Sequence, residues 1–165
     1  MSVEQARYFA LQAHDGQMYG TRPYSVHLDA VADIAKPYGD VVQVIAYLHD
    51  VVEDTSVVIE QVAALFGEHI AACVGIVTDE AGATRAQRKV KTHQKMADVE
   101  SDLYDALIVK AADRLANMRA SEAGKREDLL AMYVQEYTEF KQAVYRENLC
   151  DDIWLALDDI YQRNQ

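Results

Sequence analysis

This 165-residue chain predicts an all-α fold, and three observations carry that expectation. It holds only 7 glycines and 2 prolines, and abundant Ala, Leu, Val, Glu and Gln favour helices. Its apolar residues recur at helical spacing, as in Val41, Val44, Ile45, Leu48 and Val52. No repeat, low-complexity tract or Pro/Gly/Ser-rich linker divides it, so residues 1–165 are expected to form one domain, long enough to bury a real core.

A first helix is expected over roughly residues 2–14, with Ala6, Phe9, Ala10 and Ala13 as its apolar stripe. It stops in DGQMYGTRPY, where Gly16 and Gly20 break helical continuity and Pro23 suits the first turn of a second helix. That helix carries Val26, Ala30, Val31 and Ile34 and ends before Pro37 and Gly39. Asp40 is the expected N-cap of a third, with Gln43 three residues on, and this helix is expected to run on through His49, Asp50, Glu53 and Asp54. A short helix follows Ser56 and stops at Gly67, and another covers about Glu68 to Val77. Thr84 with Gln87 reads as a capping box opening a basic helix. Residues 103–119 are apolar nearly all round, the mark of a central helix. Two amphipathic helices, about 125–146 and 149–163, close the chain, with Ile153, Trp154, Leu157 and Ile160 packing the last.

The formal net charge of −11 argues against general binding to nucleic acid or to anionic membranes. A polyanionic small molecule remains a possible substrate where a local basic patch and a cation line the pocket. Cys73 and Cys150 lack CxxC spacing and read as free buried thiols in a reducing compartment. MSVEQARYFALQAHDGQ has charges among its apolar positions, so no signal peptide is expected, no stretch is long enough to span a membrane, and a cytoplasmic location follows.

His49 and Asp50, in AYLHDVVEDT, are the most informative residues. On a continuous helix His49 and Glu53 would share a face, as would Asp50 and Asp54. Three carboxylates this close repel one another, and a bound cation relieves that. Asp113 lies inside the apolar run of DALIVKAADRLANMR, with Asn117 one turn later on the same face. A carboxylate buried there needs a metal ion or a salt bridge, which Lys110 three residues away could also offer. His27, in PYSVHLDAVADI, is a further candidate ligand, although a lone histidine on such a helix is more often structural. Two imidazoles and two carboxylates would suit Mn, Fe, Co or Zn rather than Ca. His14, His69 and His93 read as structural or surface positions, and Tyr133, Tyr137 and Tyr145 as packing residues.

The order His27, His49-Asp50, Asp113 resembles the HD-domain metalloenzyme pattern. AHDGQ (13–17), PYSVH (23–27), LHDVVEDT (48–55), VTDE (77–80) and VKAADRLANMR (109–119) resemble one branch of it. That branch is the hydrolase domain of RelA/SpoT-type alarmone enzymes together with the small stand-alone alarmone hydrolases. The resemblance implies a compact helical bundle with one divalent cation, usually manganese, held by His27, His49, Asp50 and Asp113. It implies that Glu53 and Asp54 activate or orient the attacking water and that Asn117 lines a nucleotide pocket, with Tyr24 and Arg22 near the first ligand. The implied reaction removes pyrophosphate from the 3′ position of guanosine tetra- or pentaphosphate. Arg22, Arg85, Arg88 and Lys89 are the candidate cations for the phosphates. No synthetase segment is visible, so an alarmone role would be degradative, and the oligomeric state is left open.

Three positions depart from that pattern. Alarmone hydrolases usually carry a basic pair straight after the Gly-Gln, where this chain has Met18-Tyr19, and Leu28 replaces the proline that commonly follows the first ligand. A general nucleotide phosphohydrolase on the same metal centre is therefore the alternative expectation. A catalytically silent nucleotide-binding module is a third.

Overall fold

The computed structural model describes residues 2–165. Helix α1 (Val3–Ala13) is capped by Ser2, whose hydroxyl accepts from the Gln5 N–H while Gln5 returns the bond. A hairpin of β1 (Met18–Tyr19) and β2 (Arg22–Pro23) leads into α2 (Ser25–Ala35) and then α3 (Asp40–Leu48) and α4 (Val51–Asp54). Next come α5 (Ile59–Phe66), α6 (Glu68–Val77) and α7 (Arg85–Ala97). The chain ends with α8 (Tyr104–Ala123), α9 (Glu127–Val144) and α10 (Asp151–Arg163).

Helix α8 is the axis of the bundle. It packs against α2, α3, α6, α9 and α10, and residues 106–112 of it are buried without interruption. Four of those seven are alanine or valine, small enough to let neighbouring helices approach closely. One continuous apolar cluster joins Leu28, Ile45 and Leu48 to Leu107, Leu115, Phe140, Trp154 and Leu157. Ile153, Trp154, Leu157 and Ile160 are all buried, so the last helix packs as its periodicity predicts.

Four local expectations are corrected. Pro23 does not open a helix: it pairs with Met18 in the hairpin, and α2 begins at Ser25. Gly20, at φ 61°, starts the two-residue loop with the positive φ that short hairpins require. Asp40 is the first helical residue of α3, and Gly39 is the N-cap, with no side-chain cap bond. Val41 is 48% exposed, the buried face being Val42, Val44, Ile45 and Leu48. The fourth correction matters most for chemistry. The helix does not run continuously through the acidic residues but breaks after Leu48, with Asp50 at φ −105°, ψ −2°, before α4 resumes. The Thr84 cap is half as expected, since its hydroxyl accepts from Gln87 N–H while the Gln87 side chain turns to Ala83.

Gly39 adopts φ 104°, ψ 167°, a region essentially closed to side-chain-bearing residues, and a Cβ there meets no atom within 4 Å. Gly39→Ala is therefore expected to cost about 1–3 kcal/mol through backbone strain alone, with no steric part. Urea denaturation reads this directly; an unchanged midpoint would mean that the start of α3 re-forms in another conformation.

Candidate metal centre

Three helical segments deliver the site. His27 comes from the first turn of α2, His49 and Asp50 from the α3–α4 break, and Asp113 from the middle of α8. Adjacent residues on a regular helix diverge by about 100°. At the break His49 Nε2 nonetheless lies 2.8 Å from Asp50 Oδ2. His27 Nε2 is 3.3 Å from His49 Nε2 and 3.6 Å from Asp50 Oδ2. Asp113 Oδ1 closes the set at 3.2 Å from His27 Nε2 and 3.7 Å from His49 Nε2. Both imidazoles are almost fully buried, at 3% and 1% exposure.

The donor set fits a divalent cation. His49 Nδ1 lies 2.7 Å from the Ala46 carbonyl, an acceptor only, so Nδ1 carries the proton. In the neutral ring Nε2 is then a lone pair aimed at a carboxylate, an arrangement that needs either a second proton or a cation between them. Ligands at about 2.0–2.2 Å from one ion stand about 3.0–3.4 Å apart along a shared edge, close to the separations found here. Without the ion, burial works against charge on His49, but Asp50 and Asp113 outweigh it and raise its pKa well above the ordinary value. Burial likewise opposes ionisation of Asp50 and Asp113, and the two imidazoles hold both carboxyls well below the usual range.

Around this set lies a polar cavity of about 260 Å³, lined among others by Tyr24, Glu53, Asp54, Arg85, Lys89, Asn117 and Tyr133. Glu53 Oε2 accepts from the backbone N–H of Asp79 at 2.9 Å. The protein packed around its carboxyl group, reinforced by the Asp79 charge, raises the Glu53 pKa. Asp54 receives the Tyr24 hydroxyl and the Gln17 amide, both at 3.3 Å, and the same hydroxyl donates to Asp50 at 2.6 Å. Tyr24 is thus engaged by the carboxylates rather than presented to a ligand.

The basic wall is α7. Arg85 pairs with Glu136 through two bonds of 2.8 and 3.1 Å, and Lys89 with Asp79 at 2.7 Å. Arg88 does not line the cavity; it is turned about 100° from Lys89 and packs close to Gly82. Arg22 is exposed on the hairpin and is also outside the lining. Lys110, foreseen as a partner for Asp113, is buried 3.7 Å from it and 3.9 Å from Asp79, and donates to the Val77 carbonyl.

Several contributors escaped the sequence reading. Tyr133, expected only to pack, lines the cavity, and so does Arg114, whose guanidinium lies 4.9 Å from the centre of the Tyr133 ring. Asp79 lies in the VTDE segment, but nothing in its spacing reveals that it holds Glu53 and both lysines. His93, expected at the surface, is half-buried against Phe140, and burial lowers its pKa.

A family model described as HD domain matches residues 6–140. A zebrafish protein named guanosine-3′,5′-bis(diphosphate) 3′-pyrophosphohydrolase MESH1 is 35% identical over 146 residues, covering 84% of this chain and 79% of its own. A Synechocystis protein named as a probable enzyme of the same activity is 36% identical over 121 residues, 70% of this chain but only 16% of that longer one. Among solved structures, one described as a metazoan ortholog of SpoT that hydrolyzes ppGpp superimposes with TM-score 0.83 at 26% identity. That match covers 98% of this chain and 94% of the other.

The metal-free pairing has a defined pH signature. A raised His49 pKa stabilises the fold fully below the ordinary value of 6.5, and that stability is lost as pH climbs through the raised value. A metal ion competes with those protons, so its affinity rises with pH. With a chelator present the unfolding temperature is expected to fall from pH 6.5 upward, while the increment from added manganese grows. An increment independent of pH would rule out histidine ligation.

Proposed function

The chain belongs to the HD domain family, and on that premise we propose that it is a metal-dependent phosphohydrolase that removes pyrophosphate from the 3′ position of guanosine tetra- or pentaphosphate. One observation carries the reading: His27, His49, Asp50 and Asp113 converge beside Glu53, Asp54 and a basic wall. The similarity to proteins named for this hydrolysis, across 84% of the chain in the zebrafish case, supports the substrate. We further assign the cation as manganese, the whole of residues 1–165 to one catalytic unit, and its place of action to the cytoplasm. No helix among the described residues is long and apolar enough to cross a membrane.

The cation would be held by His27, His49, Asp50 and Asp113, where it supplies Lewis-acid activation of water and of a phosphoryl oxygen. Glu53 takes the proton from the attacking water. Its raised pKa makes it a better base than an ordinary carboxylate, and its bond to the Asp79 N–H fixes its direction. Asp54, held by Tyr24 and Gln17, orients the water. Arg85 and Lys89 neutralise charge developing on the phosphates, each tethered by one carboxylate that keeps it in place. Asn117 closes the nucleotide end of the pocket. Arg22 and Arg88, outside the lining, have no part in this mechanism.

A second reading, a general nucleotide phosphohydrolase, is favoured by one observation: Met18-Tyr19 stand where a guanine-binding basic pair is expected. Products separate the two. Incubation with manganese and guanosine tetraphosphate is expected to yield GDP and pyrophosphate on anion-exchange chromatography. Orthophosphate from a nucleoside monophosphate, with no loss of the tetraphosphate, would establish the second reading. Tight binding without turnover would point to the silent module. Asp50→Ala is expected to abolish manganese binding and turnover together. Glu53→Gln is expected to keep the metal and lose about 10²–10⁴-fold in rate.

A further inference from the structure

Tyr19 touches one of the four candidate ligands, His27, and reaches a second, Asp113, through Asn117. The tight turn at Gly20 and the pairing of Tyr19 with Arg22 fix its backbone. Its ring stacks on the His27 imidazole, with centroids 4.9 Å apart and planes at 15°. Its hydroxyl donates to Asn117 Oδ1 at 2.7 Å, and Asn117 Nδ2 donates to Asp113 Oδ1 at 2.6 Å. That oxygen is the one lying 3.2 Å from His27 Nε2, so the four residues form a closed ring. Asn117 follows Asp113 by one helical turn on α8, which is why a single amide can span hydroxyl and carboxylate.

We propose that Tyr19 is a positioning residue that braces the metal ligands His27, by stacking, and Asp113, through Asn117. The inference rests on the metal reading above and goes beyond it, because it gives the hairpin, which lies outside the cavity lining, a task at the ligands rather than at the substrate. The Asn117 carbonyl is taken up by Tyr19 and no longer faces a substrate donor. Met18 and Tyr19 bring no positive charge to this side. Recognition of the phosphates therefore falls to cations that line the cavity, such as Arg85 and Lys89, while the hairpin serves the metal.

Tyr19→Phe keeps the ring and removes only the hydroxyl. Outer-shell partners of metal ligands typically contribute about 10–100-fold in affinity, and loss of the hydroxyl is expected to weaken manganese binding about tenfold by isothermal titration calorimetry. The variant also loses a part-buried hydrogen bond worth about 0.5–1.5 kcal/mol with or without metal, so bracing is separated from a general structural role by the increment manganese adds to the melting temperature, which is expected to be smaller in the variant than in wild type. In an Asn117→Ala background the same substitution is expected to change affinity less than about twofold, since the route through the amide is already cut. Wild-type affinity in Tyr19→Phe, or an undiminished loss in the Asn117→Ala background, overturns the brace alone. Wild-type protein that binds no manganese overturns the metal reading and the brace with it.

Discussion

Everything around the site follows from two imidazoles that each lie within 3.7 Å of two carboxylates inside a helical bundle. Carboxylates desolvated side by side are costly unless positive charge stands between or beside them. The fold meets that demand in layers. The imidazoles come first, then Lys110 behind Asp113, and the whole arrangement is shaped for a cation at its centre. Because the four groups come from α2, the α3–α4 break and α8, these helices cannot shift independently without separating the ligands. Alanine-rich packing along α8 lets α2 and α3 approach it closely, so the geometry of the site and that of the core are one problem.

Charge outside the ligand set is divided with equal care. Asp79 sits between Lys89 and Lys110 while its own N–H holds Glu53. One residue thus moderates two lysines and aims the candidate base. Burial pushes the Lys89 pKa down, whereas the surrounding carboxylates overcome burial at Lys110 and push it up. The charged form of Lys110, deep beside Asp113, is thereby favoured, and both lysines line the cavity. On the far side Glu136 pairs with both Arg85 and Arg114 and leaves that corner with an excess of positive charge. A protein of net charge −11 can present a basic wall in this way, because the acidic excess lies elsewhere.

Much of this was legible in the sequence because it is written in local order. The His-Asp pair, the polar Asp113 in an otherwise apolar run, and the periodicity of the last helix each need only a few neighbouring residues to be read. The failures share another cause. The break at His49–Asp50 is invisible to periodicity, because the apolar spacing continues across it to Val51 and Val52. Tyr19 and Asn117 lie 98 positions apart, and Arg85 and Glu136 lie 51 apart. No spacing rule reaches that far. Pro23 is ambiguous in sequence because a helix start and a hairpin strand both accept its fixed φ, and only the turn at Gly20 decides between them.

The distribution of buried polar groups carries the argument a step further. Among the described residues, every buried polar or charged residue apart from Thr92 and Ser121 stands in or beside the cavity: His14, His27, His49, Lys110 and Arg114. His14 stacks on Tyr24 and bonds Gln17, the two residues that hold Asp54. Arg114 lies over the Phe140 ring with one guanidinium nitrogen unpartnered. Each such group costs stability unless satisfied, and a bundle selected for stability alone would scatter or remove them. Their concentration around one cavity, against a core that is otherwise mostly apolar, puts that cost at the candidate site. Two of the three unpartnered buried side-chain nitrogens among the described residues, His14 Nε2 and Arg114 Nη1, stand in or beside the cavity and the third is Trp154 Nε1 on α10, so most of that cost falls where the candidate site is built.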